Sequence, residues 1–497
     1  RKSQEKMIPI FLPKKTLLNP LFLENYEEKV INFEKYNKLG NITLKPQQEQ
    51  GIKFLTTRKK AILAHQMGAG KTITAIVAAL EDNFDKILVI SPASVKVTWF
   101  NEINRFVDKD DIVIVEGSKW KDSKFTIINY DILDNFYEIP TETVKRKVKT
   151  VNDNGKIEYN YVEKEIVSKN NDVIKEAMEN SQLFTSKFDL IIIDEAHRLS
   201  NSKSIRYKII SDLIKRSNPK AIYELTGTMI TNNPMNLYNI LKIIDAEVTK
   251  DWQNYVISYC DGKQIYVKSE RDKLSNSFIR KKGKSSWYDL TFDEKNELNT
   301  YLDKYCTKIW LTNGSSNLDE LKEKIKHLYL RDLNEEIYNN FSKEVKVINY
   351  DLNHIEKIEY DKAWDEYVSN QDEEKDIDKL LDNKKLIESS VLRQTTSLLM
   401  IPHTIKLVNE IISKGEKVIV FCAFDSEIYS LKEHYKDKCV IHNGKLTLKE
   451  KEKALKAFNE DDNVQILLGN LQSTSVGLNL CVANNIVFNS ISWLPAD

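Results

Sequence analysis

A chain of 497 residues, 41% hydrophobic and 30% charged, has the make-up of an ordinary globular protein and the length for about two to four domains. Lys+Arg and Asp+Glu number 74 each, which excludes a globally basic protein that captures nucleic acid through a long-range field; any such contact has to come from a local groove. The five cysteines (Cys260, Cys306, Cys422, Cys439 and Cys481) show no Cys-x-x-Cys pair and no His at zinc-ligand spacing, which excludes a zinc module and reads as reduced thiols in an intracellular protein.

No apolar run is long enough to span a bilayer. Residue 1 is Arg, so the true start is expected upstream, and the missing leader carries little weight.

Residues 1–40 form an N-terminal segment without a clear period. From 41 to 245, short apolar runs alternate with helical patterns: Ala61–Ala64, Ile87–Ile90, Thr126–Ile128 and Leu190–Ile193. Such runs predict buried strands of a parallel sheet joined by crossover helices. Residues 136–187 break the pattern with Lys145-Arg146-Lys147-Val148-Lys149 and the turn signal Asp153-Asn154-Gly155, which predicts an insertion that is partly a hairpin. Residues 246–342 read as a charged helical protrusion and linker, with a second basic cluster at Arg280–Lys284. From 343 a strand is expected at Glu344–Leu352, then a helical insertion at about 353–400 and a second α/β region. Its strands are expected at Lys417–Phe421, Cys439–His442, Gln465–Leu468 and Asn485–Asn489. The chain is therefore α/β, with two lobes and a cleft.

The sharpest motif is Met67-Gly68-Ala69-Gly70-Lys71-Thr72, between a strand and the helix Ile73–Leu80. Glycines let main-chain N–H groups turn toward phosphates, and the helix N-terminus adds partial positive charge. Gly68, Ala69 and Gly70 would cradle ATP, Lys71 would reach its β- and γ-phosphates, and Thr72 would hold Mg²⁺. A strict phosphate loop has Gly where His65 stands. The second element is the strand Leu190–Ile193 ending in Asp194-Glu195. Asp194 would hold Mg²⁺ through water, Glu195 would orient and activate the attacking water, and His197 would couple the site to other motifs.

In order and spacing these residues resemble superfamily 2 helicases, specifically the Swi/Snf (sucrose-non-fermenting) branch, over residues 44 to 495. Leu44-Lys45-Pro46-Gln47-Gln48 is similar to the adenine-recognition segment, which implies Gln48 against the base. Ser91-Pro92-Ala93-Ser94 with Trp99 and Glu102, Asn129-Tyr130-Asp131, Asp194 to Asn201 and Leu225-Thr226-Gly227-Thr228 are similar to the family's motifs in the first lobe. Leu392-Arg393-Gln394, Val418–Cys422, His442-Asn443-Gly444, Val476–Leu480 and Trp493 with Pro495 are similar to those of the second. Asn313 to Leu333, ending in Tyr329-Leu330-Arg331-Asp332-Leu333, resembles the linker of the annealing-helicase branch.

The resemblance implies two RecA-like parallel-sheet lobes with helical protrusions between and within them, and ATP and Mg²⁺ held between the lobes. It implies DNA-dependent ATPase activity and sequence-independent movement along double-stranded DNA. It assigns coupling to His197, Thr226, Gly227, Thr228 and Gly477, and DNA contact to Ser91, Pro92, Thr98, Asn129, Asn479 and Trp493. Protein partners would use the N-terminal segment, the 136–187 insertion or the protrusions. The setting would be bacterial or phage cytoplasm, or a eukaryotic nucleus or viral factory.

The chain departs from the family at His65-Gln66, where Asp-Glu is usual, at Met229 in place of Pro, and at Gln472–Ser475 in motif V. No Arg follows Arg393, and the sequence stops at Asp497, before motif VI would supply arginines to the γ-phosphate. The full protein is expected to continue, and this stretch alone to turn over slowly. Two rival readings stand beside the translocase: a strand-separating DNA or RNA helicase, and a degenerate ATP-binding scaffold on nucleic acid.

Overall fold

Apolar runs without polar alternation have to be covered on both faces, and here they form the strands of a parallel sheet. In the computed structural model, which describes residues 30–66, 68–151, 156–168, 170–227, 233–331, 344–372, 392–470, 480 and 482–491, the chain divides into two units, Arg1–Ser342 and Lys343–Asp497. The first unit carries β1 (Lys60–Leu63), β2 (Ile87–Ser91), β3 (Ile112–Ile114), β4 (Phe125–Asn129), the hairpin β5 (Thr141–Val151) and β6 (Ile157–Val167), then β7 (Leu190–Asp194), β8 (Ala221–Leu225), β9 (Lys263–Tyr266), β10 (Lys308–Leu311) and β11 (Tyr329–Leu330). Seven of these form one sheet in the order β11-β1-β8-β7-β2-β4-β3, every pair parallel.

Alternate residues of each strand feed two cores. One face buries Ile62, Ile90, Ile193 and Ile222 with Leu213 and Leu237 of the helices Ile205–Ser217 and Pro234–Ile243. The other buries Leu63, Val89, Ile192 and Tyr223 with Ile52 and Ile76 of the helices Pro46–Arg58 and Lys71–Glu81. Those two helices approach closely at Gly51, where a Cβ would lie 2.7 Å from Thr74 Cγ2.

Four sequence expectations need correction. Residues 33–40, assigned to the N-terminal segment, form a helix whose Tyr36 is buried in the first unit and donates to Glu81 Oε2 at 2.7 Å. One helix of this length buries too few apolar residues to show a period. The 246–342 region is not only helical: β9 and β10 pair antiparallel, and β11 returns to the main sheet beside β1. The pair Tyr329-Leu330 is too short to be legible as a strand, and only its partner makes it one. Residues 344–353, expected to begin with a strand, have none, and Val345 and Val347 are exposed. The helix after the phosphate loop begins at Lys71, two residues before the expected Ile73.

The predicted insertion holds β5 and β6, antiparallel from Thr141↔Val167 to Val151↔Ile157, and the helices Asn171–Glu179 and Gln182–Thr185. A satellite core of Leu274, Ile279, Leu290, Leu298, Leu302 and Cys306 joins the helices Lys268–Lys281 and Phe292–Tyr305, with Ile157 of β6 packed against it. The second unit carries β12 (Val418–Cys422), β13 (Cys439–His442), β14 (Ile466–Asn470) and β15 (Asn485–Phe488) in the parallel order β13-β14-β12-β15. Among the described residues no helix is long and apolar enough to cross a membrane, and Cys260, Cys306, Cys422 and Cys439 are buried free thiols.

One carboxyl sits in the middle of the first sheet. Glu224 of β8 lies between Ile62 and Ile193, fully buried, and among the described residues neither of its oxygens has a hydrogen-bond partner. Burial pushes its pKa well above the ordinary 4.5. A carboxyl whose folded pKa is raised costs nothing extra below the unfolded value and destabilises the fold as pH rises above it. Glu224→Gln is therefore expected to stabilise the protein, and more at pH 8 than at pH 5. Melting curves of both proteins at the two pH values check this, and an equal difference at both would refute it.

Candidate nucleotide site at the carboxyl edge of the first sheet

Because β1, β8 and β7 are adjacent and parallel, the loops that follow them leave the same edge of the sheet. The loop after β1 turns through Gly68 (φ 81°) and Gly70 (φ 82°), both in the left-handed region that favours glycine. The helix Lys71–Glu81 then starts with no side-chain cap, so its first N–H groups remain available to an anion. Lys71 Nζ donates to the carbonyls of His65 (3.0 Å) and Gln66 (3.3 Å). Burial lowers the Lys71 pKa, and the charges of Glu195 and Asp194 partly offset that.

His65, the departure from the strict motif, is buried and contributes its main chain to Lys71. Burial, then the Lys71 charge, push the imidazole down to about 4, so it is neutral. Gln48, expected at a base, lies against the loop: its Oε1 accepts from Lys45 N at 2.8 Å, and a Cβ on Gly70 would meet its amide. Ala69 is buried in the loop, and Thr72 is the second residue of the helix, half-buried.

Asp194 ends β7. Its Oδ2 accepts from Trp99 Nε1 at 2.9 Å, its Oδ1 from Glu195 N at 3.1 Å, and its carbonyl from the Tyr130 hydroxyl at 2.6 Å. Burial, then the neighbouring Glu195 charge, push the Asp194 carboxyl up to about 6. Glu195 has φ 54°, a left-handed conformation that is strained for a residue with a Cβ and that turns its side chain toward His197. Burial alone would raise its pKa, but the hydrogen bond and charge of His197, then Lys71 and Arg198, hold it below the ordinary value. His197 Nδ1 lies 3.1 Å from Glu195 Oε2 and 3.2 Å from Thr226 Oγ1. Gly227 follows Thr226 at the end of β8.

The structure thus brings Lys71, Asp194, Glu195, His197 and Thr226 to one edge. Of the residues expected to touch DNA, Ser91, Pro92 and Asn129 are buried and Thr98 is exposed. Ser91 and Asn129 face each other in register at the ends of β2 and β4, with Ser91 Oγ on the Pro92 carbonyl. Thr228, Gly477, Asn479 and Trp493 lie outside the described residues. Sequence reasoning missed the roles of Trp99 and Tyr130. They lie 95 and 64 positions from Asp194, and no local spacing signals the contact. In the second unit, Gln394 donates to Ser426 Oγ at 3.0 Å, and buried Glu427 accepts from Phe424 N and Ser490 Oγ, which ties β12 to β15.

Comparison with known proteins agrees with this layout. The SNF2-related domain matches residues 47–385, and the helicase conserved C-terminal domain matches residues 403–497. The chain belongs to the SNF2-related family. Its two parallel-sheet units are the RecA-like lobes of that family, and membership implies a bound nucleotide. It is 24% identical over 500 residues to the SWI/SNF-related matrix-associated actin-dependent regulator of chromatin subfamily A containing DEAD/H box 1 of Xenopus tropicalis, over 92% of this chain and 46% of that protein. It is 20% identical over 470 residues to the human DNA annealing helicase and endonuclease ZRANB3, over 91% of this chain and 36% of that protein. The chain spans less than half the length of these relatives. Among solved structures, the Sulfolobus solfataricus SWI2/SNF2 ATPase core domain is 17% identical, with a TM-score of 0.40 over 97% of this chain and 85% of that one.

Removing the Trp99 N–H should expose its role. Trp99→Phe keeps an aromatic ring in the core and deprives Asp194 of a charge-assisted hydrogen bond, worth roughly 1.5–3 kcal/mol. ATP turnover is expected to fall roughly tenfold or more, with the circular-dichroism spectrum retained. Unchanged turnover would remove Trp99 from the site.

Proposed function

We propose that this chain is the motor of an ATP-dependent double-stranded-DNA translocase. The observation that carries the proposal is the convergence of Lys71, the Asp194–Glu195 pair and the His197–Thr226 contact on one sheet edge. The residues fit a Mg²⁺-bound triphosphate: two left-handed glycines, an uncapped helix start, a buried ammonium held on main-chain carbonyls, and a carboxylate fixed by an indole N–H. ATP with Mg²⁺ supplies the phosphoanhydride whose hydrolysis drives the motor.

The chain's own groups divide the work. The Gly68–Gly70 N–H groups and Lys71 bind phosphate and neutralise its charge, Thr72 and Asp194 supply oxygens for the metal, and Gln48 stands beside the loop where the base would lie. Glu195, whose pKa the His197 contact at 3.1 Å draws down, orients a water and accepts its proton. His197 carries that contact to Thr226 on the neighbouring strand, so a shift of the loop after β8 alters the position of Glu195. The domain assignment is a helicase ATP-binding lobe with an inserted hairpin, a protrusion, and a helicase C-terminal lobe.

The duplex, as opposed to a single strand, is supported by the family match and by relatives named as regulators of chromatin and a DNA annealing helicase. Their names also favour an intracellular setting, nuclear in a eukaryote. Contacts to phosphates make binding sequence-independent and salt-sensitive.

ATP turnover measured alone, with duplex and with single strands tests the reading. Stimulation by duplex, abolished in Glu195→Gln with ATP binding kept and lost together with ATP binding in Lys71→Ala, is the expected result. Stimulation only by single strands would indicate a strand-separating helicase. ATP binding without turnover would indicate a scaffold.

A further inference from the structure

Beneath the phosphate-type loop lies an imidazole that the division of work above leaves unused. His65 is fully buried, and its ring comes in where the helices Pro46–Arg58 and Lys71–Glu81 approach each other. The point at which a Cβ on Gly51 would stand lies 2.7 Å from Thr74 Cγ2, 3.4 Å from Leu63 Cδ1 and 3.5 Å from His65 Nε2. Both helices and the ring therefore meet at one spot, with no free space between them. That spot is one turn below the edge of the site. On the first helix Gln48 stands three residues before Gly51, and on the second Lys71 stands three residues before Thr74. Residues three apart share a helix face, so what sets Gly51 and Thr74 also sets Gln48 and Lys71.

Polar contacts carry the same connection upward into the loop. Lys71 Nζ donates to the His65 carbonyl at 3.0 Å, and Thr74 Oγ1 donates to the Gly70 carbonyl at 3.0 Å. Gln48 closes the other side, with its Oε1 on Lys45 N and its amide against Gly70. A spacer at this place has to be neutral, because the Lys71 ammonium is beside it; burial, then that charge, hold the imidazole at about 4. Close-packed interiors pass a displacement of one side chain to its neighbours, so a gap left at the ring would be felt at both helix starts.

We infer that His65 is a positioning residue of the nucleotide site: its ring holds the two helices at the separation that places Gln48 beside the base and Lys71 beside the phosphates. It thereby sets both the affinity for the nucleotide and the preference for adenine. The inference rests on the nucleotide-site reading above and goes beyond it, because His65 acts through Gln48 and Lys71.

Titration of the purified chain with the fluorescent analogues mant-ATP and mant-GTP in Mg²⁺ tests this, because it reads binding and not turnover. His65→Ala is expected to weaken mant-ATP binding roughly tenfold and to cut the preference for mant-ATP over mant-GTP roughly threefold. His65→Gln, a neutral side chain of similar volume, is expected to stay within about threefold of wild type. A ring that only supported the fold would lower the melting temperature and leave the affinity and base preference of the folded protein unchanged. That result overturns the inference, as does a loss in His65→Gln equal to that of the alanine variant. If His65→Ala does not fold, Thr74→Ser decides: it removes the methyl against Gly51 and keeps the hydroxyl on the Gly70 carbonyl. It is expected to weaken mant-ATP binding roughly threefold and to erode the base preference, and unchanged binding overturns the inference. A wild-type chain that binds neither analogue overturns the nucleotide-site reading and the inference with it, whereas wild-type binding kept in the variants overturns only the role of His65.

Discussion

The parallel pairing of β1, β8 and β7 is the constraint on which the rest depends. Lys60 to Leu63 pair with Ile222 to Leu225, and Leu190 to Asp194 pair with Ala221 to Leu225. Parallel strands leave the sheet on the same side, so the phosphate-type loop, the two carboxylates and Thr226 emerge together. A shift of one residue in this register would turn Asp194 and its neighbours to the opposite face. The two apolar cores hold that register, because alternate side chains of each strand are committed to one core or the other.

Charge burial at that edge is tolerated because it is shared. Lys71, Asp194 and Glu195 are all buried, and each would be costly alone. Main-chain carbonyls hold the ammonium, the Trp99 N–H and a backbone N–H hold Asp194, and His197 holds Glu195. The two adjacent acids are pushed apart in pKa, Asp194 upward and Glu195 downward, a separation of roles that follows from different partners on neighbouring residues. Glu224 shows the opposite case, a buried carboxyl one strand away with no hydrogen-bond partner among the described residues, whose pKa burial pushes well above the ordinary carboxyl value.

The insertions follow a different logic from the sheet. The β5–β6 hairpin reaches the satellite through Ile157 and through Lys149, 4.0 Å from Glu270. Two segments more than a hundred positions apart thereby form one peripheral body. β11 then carries the chain back to pair with β1, the strand that leads into the Lys71 loop, with Ala64 N on Leu330 O at 2.7 Å. The segment that follows the satellite is thus tied by main-chain hydrogen bonds to the strand that leads into the Lys71 loop.

The sequence alone determined the α/β class, the Gly68–Thr72 loop, the carboxylate pair and their order along the chain. Each of these is a local pattern: glycines where positive φ is needed, a lysine opening a helix, acids ending an apolar strand. Four expectations failed where a local pattern had no local partner. The helix 33–40 is a single short stripe, β11 is two residues long, the 344–352 segment has no neighbouring strand among the described residues, and the Lys71 helix starts inside the loop motif. Tertiary structure alone decided that Trp99 and Tyr130 hold Asp194, that Ser91 and Asn129 are buried, and that Glu224 lies buried in the sheet with no hydrogen-bond partner among the described residues. Those contacts join residues far apart in the chain, and only the folded sheet sets which side chains meet and which are removed from water.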